Sequence, residues 1–172
     1  MRIYLVGFMG SGKSYWGKLW AKEKGFLFID TDECIEKTEG QSIEMIFEKK
    51  GETYFRQLES SVLRSTLEYN DCIIACGGGT PCFDDNMNWM NSNGTTIFLQ
   101  STASQLLQNI LLETHKRPLI KNIDHHELLN YIEQKLSDRI DIYKMASIIV
   151  DIHELDEKYI GNIILHQTIN NA

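Results

Sequence analysis

The stretch GFMGSGKSYWGK, residues 7–18, follows the apolar run Ile3-Tyr4-Leu5-Val6 and opens a segment with helical spacing. Gly7, Gly12, Lys13 and Ser14 satisfy the pattern G-x-x-x-x-G-K-[ST], and a strand before it with a helix after it is the context that pattern requires. The glycines let the chain wrap phosphate oxygens with successive amides pointing inward, where a Cβ would obstruct. Lys13 then reaches the β and γ phosphates as a point charge, Ser14 offers its hydroxyl to Mg²⁺, and the helix N-terminus adds the positive end of its dipole. Gly10, Ser11, Gly12, Lys13, Ser14 and Tyr15 are the candidate ATP contacts of this loop.

Outward from the loop, apolar runs at residues 2–6, 26–29, 72–75, 95–99 and 147–150 read as buried strands. Helical spacing fills residues 13–24, 52–69, 84–91, 103–112, 126–143 and 154–167. This alternation predicts an α/β fold: a parallel sheet with helices on both faces and a ligand at the carboxyl ends of the strands. Two segments break the rhythm, a polar-rich insertion at residues 31–51 and a polar stretch at 114–125 containing HKRPLIKN. Insertions at that end of such a sheet are where acceptor binding and lid closure usually reside.

The 172 residues suffice for one well-buried domain and fall short of two ordinary ones. A formal net charge of -7 leaves no basic excess to neutralise a nucleic-acid backbone, so nucleic acid is not an expected partner. The N-terminal apolar segment runs straight into glycines and reads as a strand, not a signal peptide. No apolar stretch approaches the roughly 18 residues that cross a bilayer. A cytoplasmic protein is expected, with a monomer as the working state. Cys34, Cys72, Cys76 and Cys82 lack C-x-x-C spacing, which argues for thiols over zinc ligands.

The loop alone does not separate a kinase from a GTPase switch or a nucleotide-binding regulator. A switch would want Asp-x-x-Gly after a strand and an Asn/Thr-Lys-x-Asp base reader, and neither stands in a suitable place. The acceptor side is richer. FIDTDE ends the second strand with Asp30 and Asp32 two apart; if strand alternation persists, both carboxylates share a face. One suits Mg²⁺ through water, and the other can orient a hydroxyl and take its proton; an acidic helix cap at Asp32 is the competing reading. Arg56 and Arg139 sit in apolar-periodic segments, where salt bridges compete with a second role, the bidentate holding of a substrate carboxylate. CGGGTP, residues 76–81, reads either as backbone brought close to a small ligand or as a flexible surface turn.

In order, GFMGSGKS, FIDTD, SIEMIFEKKGETYFRQLE, CGGGTP, KRPLI and RIDIYKMA cover nearly the whole chain. Together they resemble shikimate kinase. The resemblance implies a P-loop fold of the nucleoside-monophosphate-kinase type in one kinase domain, residues 1–172, with a shikimate-binding region at 31–60 and a lid at 114–125. It implies direct Mg²⁺ binding by Ser14 and water-mediated binding by Asp30. Asp32 would contact the shikimate hydroxyls and serve as base, Arg56 and Arg139 would hold the carboxylate, and the Gly78 backbone would meet the ring hydroxyls. Lys13 and Arg117 would complete the catalytic set, Arg117 folding over the ATP phosphates from the lid. The implied reaction is MgATP plus shikimate giving ADP and shikimate 3-phosphate, a step towards chorismate and the aromatic amino acids. One departure stands out: family members often carry an arginine near the position of Asn109, and no Lys or Arg occurs from residue 95 through 115. Rival readings are another small-metabolite kinase, such as a gluconate kinase, and a nucleotide-binding domain without catalysis.

Overall fold

A computed structural model describes residues 1–112, 124–161 and 163. The strands are β1 (Arg2–Val6), β2 (Leu27–Asp30), β3 (Cys72–Ala75), β4 (Thr95–Gln100) and β5 (Ile148–Asp151). They form one sheet in the order β2-β3-β1-β4-β5 with every pairing parallel. The helices are α1 (Lys13–Lys24), α2 (Thr31–Glu39), α3 (Ile43–Ser65), α4 (Asn86–Asn93), α5 (Ala103–Leu112) and α6 (His125–Tyr143).

Alternation along the strands divides the core into two layers. Ile3, Leu5, Ile73, Ile97, Leu99 and Val150 pack with Trp20 and Ala21 of α1 and with Ile160 and Ile163. Tyr4, Val6, Ile74 and Phe98 pack on the opposite face with Leu63, Met90, Leu106, Ile132 and Tyr143. A parallel sheet covered on both faces follows, as the near-continuous apolar strands predict. Ile35, Ile46 and Phe55 make a separate small core beneath α2 and α3, so the region after β2 has packing of its own.

Boundaries differ from the sequence expectation where backbone geometry intervenes. Gly25 takes a left-handed conformation, and Phe26 donates its amide back to the Ala21 carbonyl (2.9 Å), so Phe26 closes α1 and the strand begins at Leu27. The helical spacing at 43–47 and that beginning at 52 belong to one run, α3, interrupted at Gly51 (φ 79°, ψ 172°). Asp84 and Asp85 have positive φ, which holds the start of α4 back to Asn86. The helix expected over 154–167 is represented by a 3₁₀ turn at Ile152–Glu154 and helical residues 159–161 and 163; the rest lies outside the described residues.

β1 leads into the phosphate-binding loop and β3 into the triple glycine, and the two strands are neighbours, so both glycine segments emerge side by side at the carboxyl edge. Gly94 seats α4 against this frame. A Cβ there would lie 2.5 Å from the Arg2 carbonyl oxygen and 2.8 Å from Tyr4 Cε2, and the Arg2 backbone is fixed by pairing with β3. Gly94→Ala is therefore expected to cost roughly 2–3 kcal/mol by overpacking and to lower Tm by about 4–12 °C. An unchanged thermal transition would mean that the turn into β4 has room the packing denies.

Candidate active site

The loop after β1 is held in a tight hairpin: the Ser11 amide donates to Phe8 O (3.2 Å), and Gly10 and Gly12 sit in the left-handed region at φ 81° and 85°. Lys13 Nζ donates to the carbonyls of Gly7 (2.8 Å) and Phe8 (2.9 Å), which lays its charge across the loop mouth. The Ser11 hydroxyl is buried without a hydrogen-bond partner. Gly12 caps α1 with no side-chain bond, leaving the helix to present its first amides to the cleft. Tyr15 stands beside the loop, 66% exposed. These residues form one wall of a cleft of about 660 Å³, whose other walls include Asp30, Asp32, Gly77, Gly78, Asn109 and Ile152.

Asp30 and Asp32 reach this cleft by a route other than strand alternation. β2 ends at Asp30 and α2 begins at Thr31, so Asp32 lies in the first turn of a helix. The cap is Asp30: its Oδ1 accepts from the amides of Asp32 (3.1 Å) and Glu33 (3.4 Å), while its Oδ2 accepts from the Ser14 hydroxyl (2.6 Å). One carboxylate thus starts α2 and faces the loop serine. Among the described residues no group of three or more His, Cys, Asp or Glu could hold a metal ion. A hydroxyl and a carboxylate at the mouth of a phosphate loop are instead hard oxygen donors of the kind that fit Mg²⁺, which takes its remaining ligands from water and phosphate.

Asp32 has the opposite character. Its Oδ1 is buried without a hydrogen-bond partner. Burial, then the negative charges of Asp30 and Glu59, push its carboxyl up to about 6, with Lys13 opposing.

The triple glycine gathers the remaining groups. A Cβ on Gly77 would lie 2.7 Å from both Asp32 Oδ1 and Glu59 Oε1; one on Gly78 would lie 3.8 Å from Arg139 Nη1; one on Gly79 would lie 2.5 Å from Arg56 Nη1. Gly77 and Gly79 are buried, and the Gly77 amide donates to Thr31 Oγ1 (3.0 Å), so the segment is a packed platform and the flexible-turn alternative is set aside. Arg56 donates to Glu59 Oε2 (2.5 Å) and Glu52 Oε1 (2.9 Å), with its guanidinium 4.1 Å from the centre of the Phe83 ring. The structural salt bridge foreseen for this arginine is present, and it aims the group at the glycines. Arg139 projects from α6 over the Phe8 ring (5.6 Å).

Two supporting groups escaped the sequence reading. Glu59, 1% exposed, accepts from Arg56 and from the Thr80 hydroxyl (2.6 Å). Its i,i+3 spacing from Arg56 inside GETYFRQLE is the signal that could have found it. Tyr143, one turn beyond Arg139, donates its hydroxyl to the Gly78 carbonyl (2.5 Å), and burial pushes its phenol up, so it remains a donor. A tyrosine bonded to backbone leaves no pattern to read. Arg117 and most of the expected lid lie outside the described residues.

The shikimate kinase family model matches residues 9–168. The chain belongs to the shikimate kinase family. A shikimate kinase of Parabacteroides distasonis is 40% identical over 154 residues, covering 90% of this chain and 89% of the relative. The crystal structure of the shikimate kinase from Bacteroides thetaiotaomicron superposes with a TM-score of 0.88 at 33% identity, covering 100% of this chain and 99% of that one. A shikimate kinase from Acinetobacter baumannii, solved in complex with shikimate, gives a TM-score of 0.81 at 29% identity, covering 99% and 93%. As a member of this family the chain is an ATP-dependent small-molecule kinase with a P-loop kinase fold.

The strain on Asp32 has a measurable sign. Its folded value lies above the unfolded value near 3.8, so the native state binds the extra proton and the free protein loses stability as pH rises from about 4 to 6, with a constant penalty above. Asp32→Asn removes that penalty. Denaturant unfolding should find the variant more stable than the parent at pH 7.5, by on the order of 1–3 kcal/mol, and equal to it below pH 4. A variant less stable at pH 7.5 would show that the carboxylate is held by a favourable contact.

Proposed function

We propose that the chain transfers the γ-phosphoryl group of MgATP to the 3-hydroxyl of shikimate, giving ADP and shikimate 3-phosphate, with the residues around the triple glycine as the acceptor site. The observation that carries the reading is the gathering of two guanidinium groups and two carboxylates, one paired (Glu59) and one with an oxygen left without a donor (Asp32), around three successive glycines beside a phosphate-binding loop. A ring acid carrying hydroxyls and a carboxylate matches this set, because guanidinium forks bind carboxylates and a buried carboxylate seeks a hydroxyl proton.

Each residue then has a chemical task. Arg56 and Arg139 hold the carboxylate and so orient the ring, and the Gly78 backbone meets its hydroxyls. Asp32 accepts a hydrogen bond from the 3-hydroxyl and takes its proton as the oxygen bonds to the γ phosphorus; the bond from that phosphorus to the β-γ bridging oxygen breaks, and ADP leaves. A group with a value near 6 is largely ionised at neutral pH while remaining basic enough to receive that proton. Lys13 offsets charge on the β and γ oxygens, assisted by the loop amides of Gly10, Ser11, Gly12 and Ser14, with Tyr15 beside the nucleotide. Ser14 and, through water, Asp30 are assigned to Mg²⁺, which when bound neutralises phosphate charge and aligns its oxygens. Arg117, which the family resemblance puts on the lid, is assigned to the transferred phosphoryl group.

The reading extends to a cytoplasmic monomer. The four cysteines are free thiols, in keeping with a reducing compartment. No described helix is long and apolar enough to cross a membrane.

ADP release from MgATP, measured with shikimate, gluconate and a nucleoside monophosphate in parallel, tests the assignment. Stimulation is expected with shikimate alone. Arg139→Ala should weaken shikimate about tenfold or more, the loss of a charge-assisted pair, with KM for ATP nearly unchanged. Release driven by another acceptor, or an Arg139 variant that loses ATP instead, would overturn the acceptor site.

A further inference from the structure

The position where a basic residue was expected, Asn109 on α5, faces the phosphate loop. Asn109 Nδ2 donates to the Gly10 carbonyl at 2.8 Å. The helix presses on the loop at the same residue: a Cβ on Gly10 would lie 2.9 Å from Ile110 Cγ1 and 3.1 Å from the Leu106 carbonyl oxygen. Gly10 is left-handed and lacks a side chain, which makes it a pliable point of the loop and one whose orientation must be fixed from outside.

The consequence runs along the backbone. Because the Gly10–Ser11 peptide is planar and trans, drawing its carbonyl towards α5 turns the Ser11 N–H the other way. That N–H donates to Phe8 O (3.2 Å), and Phe8 O also receives Lys13 Nζ (2.9 Å). An unbroken series of contacts thus joins Asn109, the Gly10–Ser11 peptide, the Phe8 carbonyl and Lys13. We infer that Asn109 is a positioning residue of the nucleotide site: it fixes the peptide plane that closes the loop turn and so sets where Lys13 and the loop amides meet the β phosphate. A neutral amide from α5 steadies the loop, in a helix that brings no cation to the phosphates. Asn109 also lines the cleft, so a contact to the nucleoside is the reading that the test must separate.

This inference rests on the loop being the nucleotide site. Asn109→Ala and Asn109→Asp are compared with the parent by calorimetric titration of MgADP, inhibition by adenosine, KM for ATP and shikimate, and Tm. In the alanine variant the MgADP dissociation constant should rise about fivefold, the worth of one neutral hydrogen bond, with KM for ATP rising in step. The aspartate variant, isosteric but with no donor to offer, should lose more. Adenosine inhibition and KM for shikimate should stay within about twofold, since neither reads the loop turn. Unchanged MgADP affinity in both variants overturns the role. Equal weakening of adenosine and ADP makes Asn109 a nucleoside contact, and joint loss of ADP and shikimate binding with a lowered Tm makes it merely structural; either result also overturns the role. A parent that fails to bind MgADP removes the nucleotide reading and this inference together, whereas a parent that binds, with variants its equal, removes this inference alone.

Discussion

Two carboxylates, Asp32 and Glu59, meet at the space where Gly77 has no side chain, and the proposed acceptor half of the site is organised by the different ways they are satisfied. Glu59 is fully engaged by Arg56 and Thr80. Asp32 keeps a buried oxygen with no donor. Two acids held this close cannot share one environment cheaply, and the protein resolves the conflict by pairing one and leaving the other raised. An apolar filling of the same space would stabilise the fold better and leave nothing to receive a hydroxyl proton. The instability at Asp32 is local strain of the kind that a rigid surrounding frame sustains.

The frame is the carboxyl edge of the sheet. β1 and β3 lie side by side and each runs into glycine, so phosphate loop and acceptor platform leave the sheet together. Asp30 ties the halves at a third point, since its two oxygens serve the amides of α2 and the hydroxyl of Ser14 at once. Helices α3 and α6 bring arginines to the platform: Arg56 is paired with Glu59, and Arg139 lies near Gly78, whose carbonyl accepts from the Tyr143 hydroxyl. The phosphate loop and the proposed acceptor site therefore share one rigid origin, which is what an in-line transfer between two bound molecules requires.

Much of this was legible in the sequence because its signals are local. A glycine-rich loop between a strand and a helix declares its ligand, and long periodic segments such as α1, α5 and α6 are read nearly to their ends. The Asp-x-Asp pair was seen but misplaced: alternation was carried past Asp30, whereas Asp30 satisfies the free amides of a helix that begins at Thr31. The glycines announced a close approach without saying what approaches, since Arg56, Arg139 and Asp32 arrive from three separate helices. Gly51 hid the continuity of α3 because a break in backbone geometry reads, in sequence, like an end. The bonds made by Tyr143 and by Asn109, the latter noticed only as a missing cation, were unreadable for another reason: each goes to a carbonyl far along the chain, and a carbonyl has no residue type to recognise.

The proposed acceptor chemistry turns on Asp32, whose buried Oδ1 has no donor, receiving a substrate hydroxyl. Its carboxyl carbon can be followed directly by ¹³C NMR titration, assigned by its absence from Asp32→Asn, in the free protein and with shikimate bound. A midpoint near 6 is expected in the free protein, with a clear downward shift when shikimate binds, because a donated hydroxyl hydrogen bond favours the charged form. An ordinary midpoint near 4 in the free protein, or one indifferent to shikimate, would contradict it.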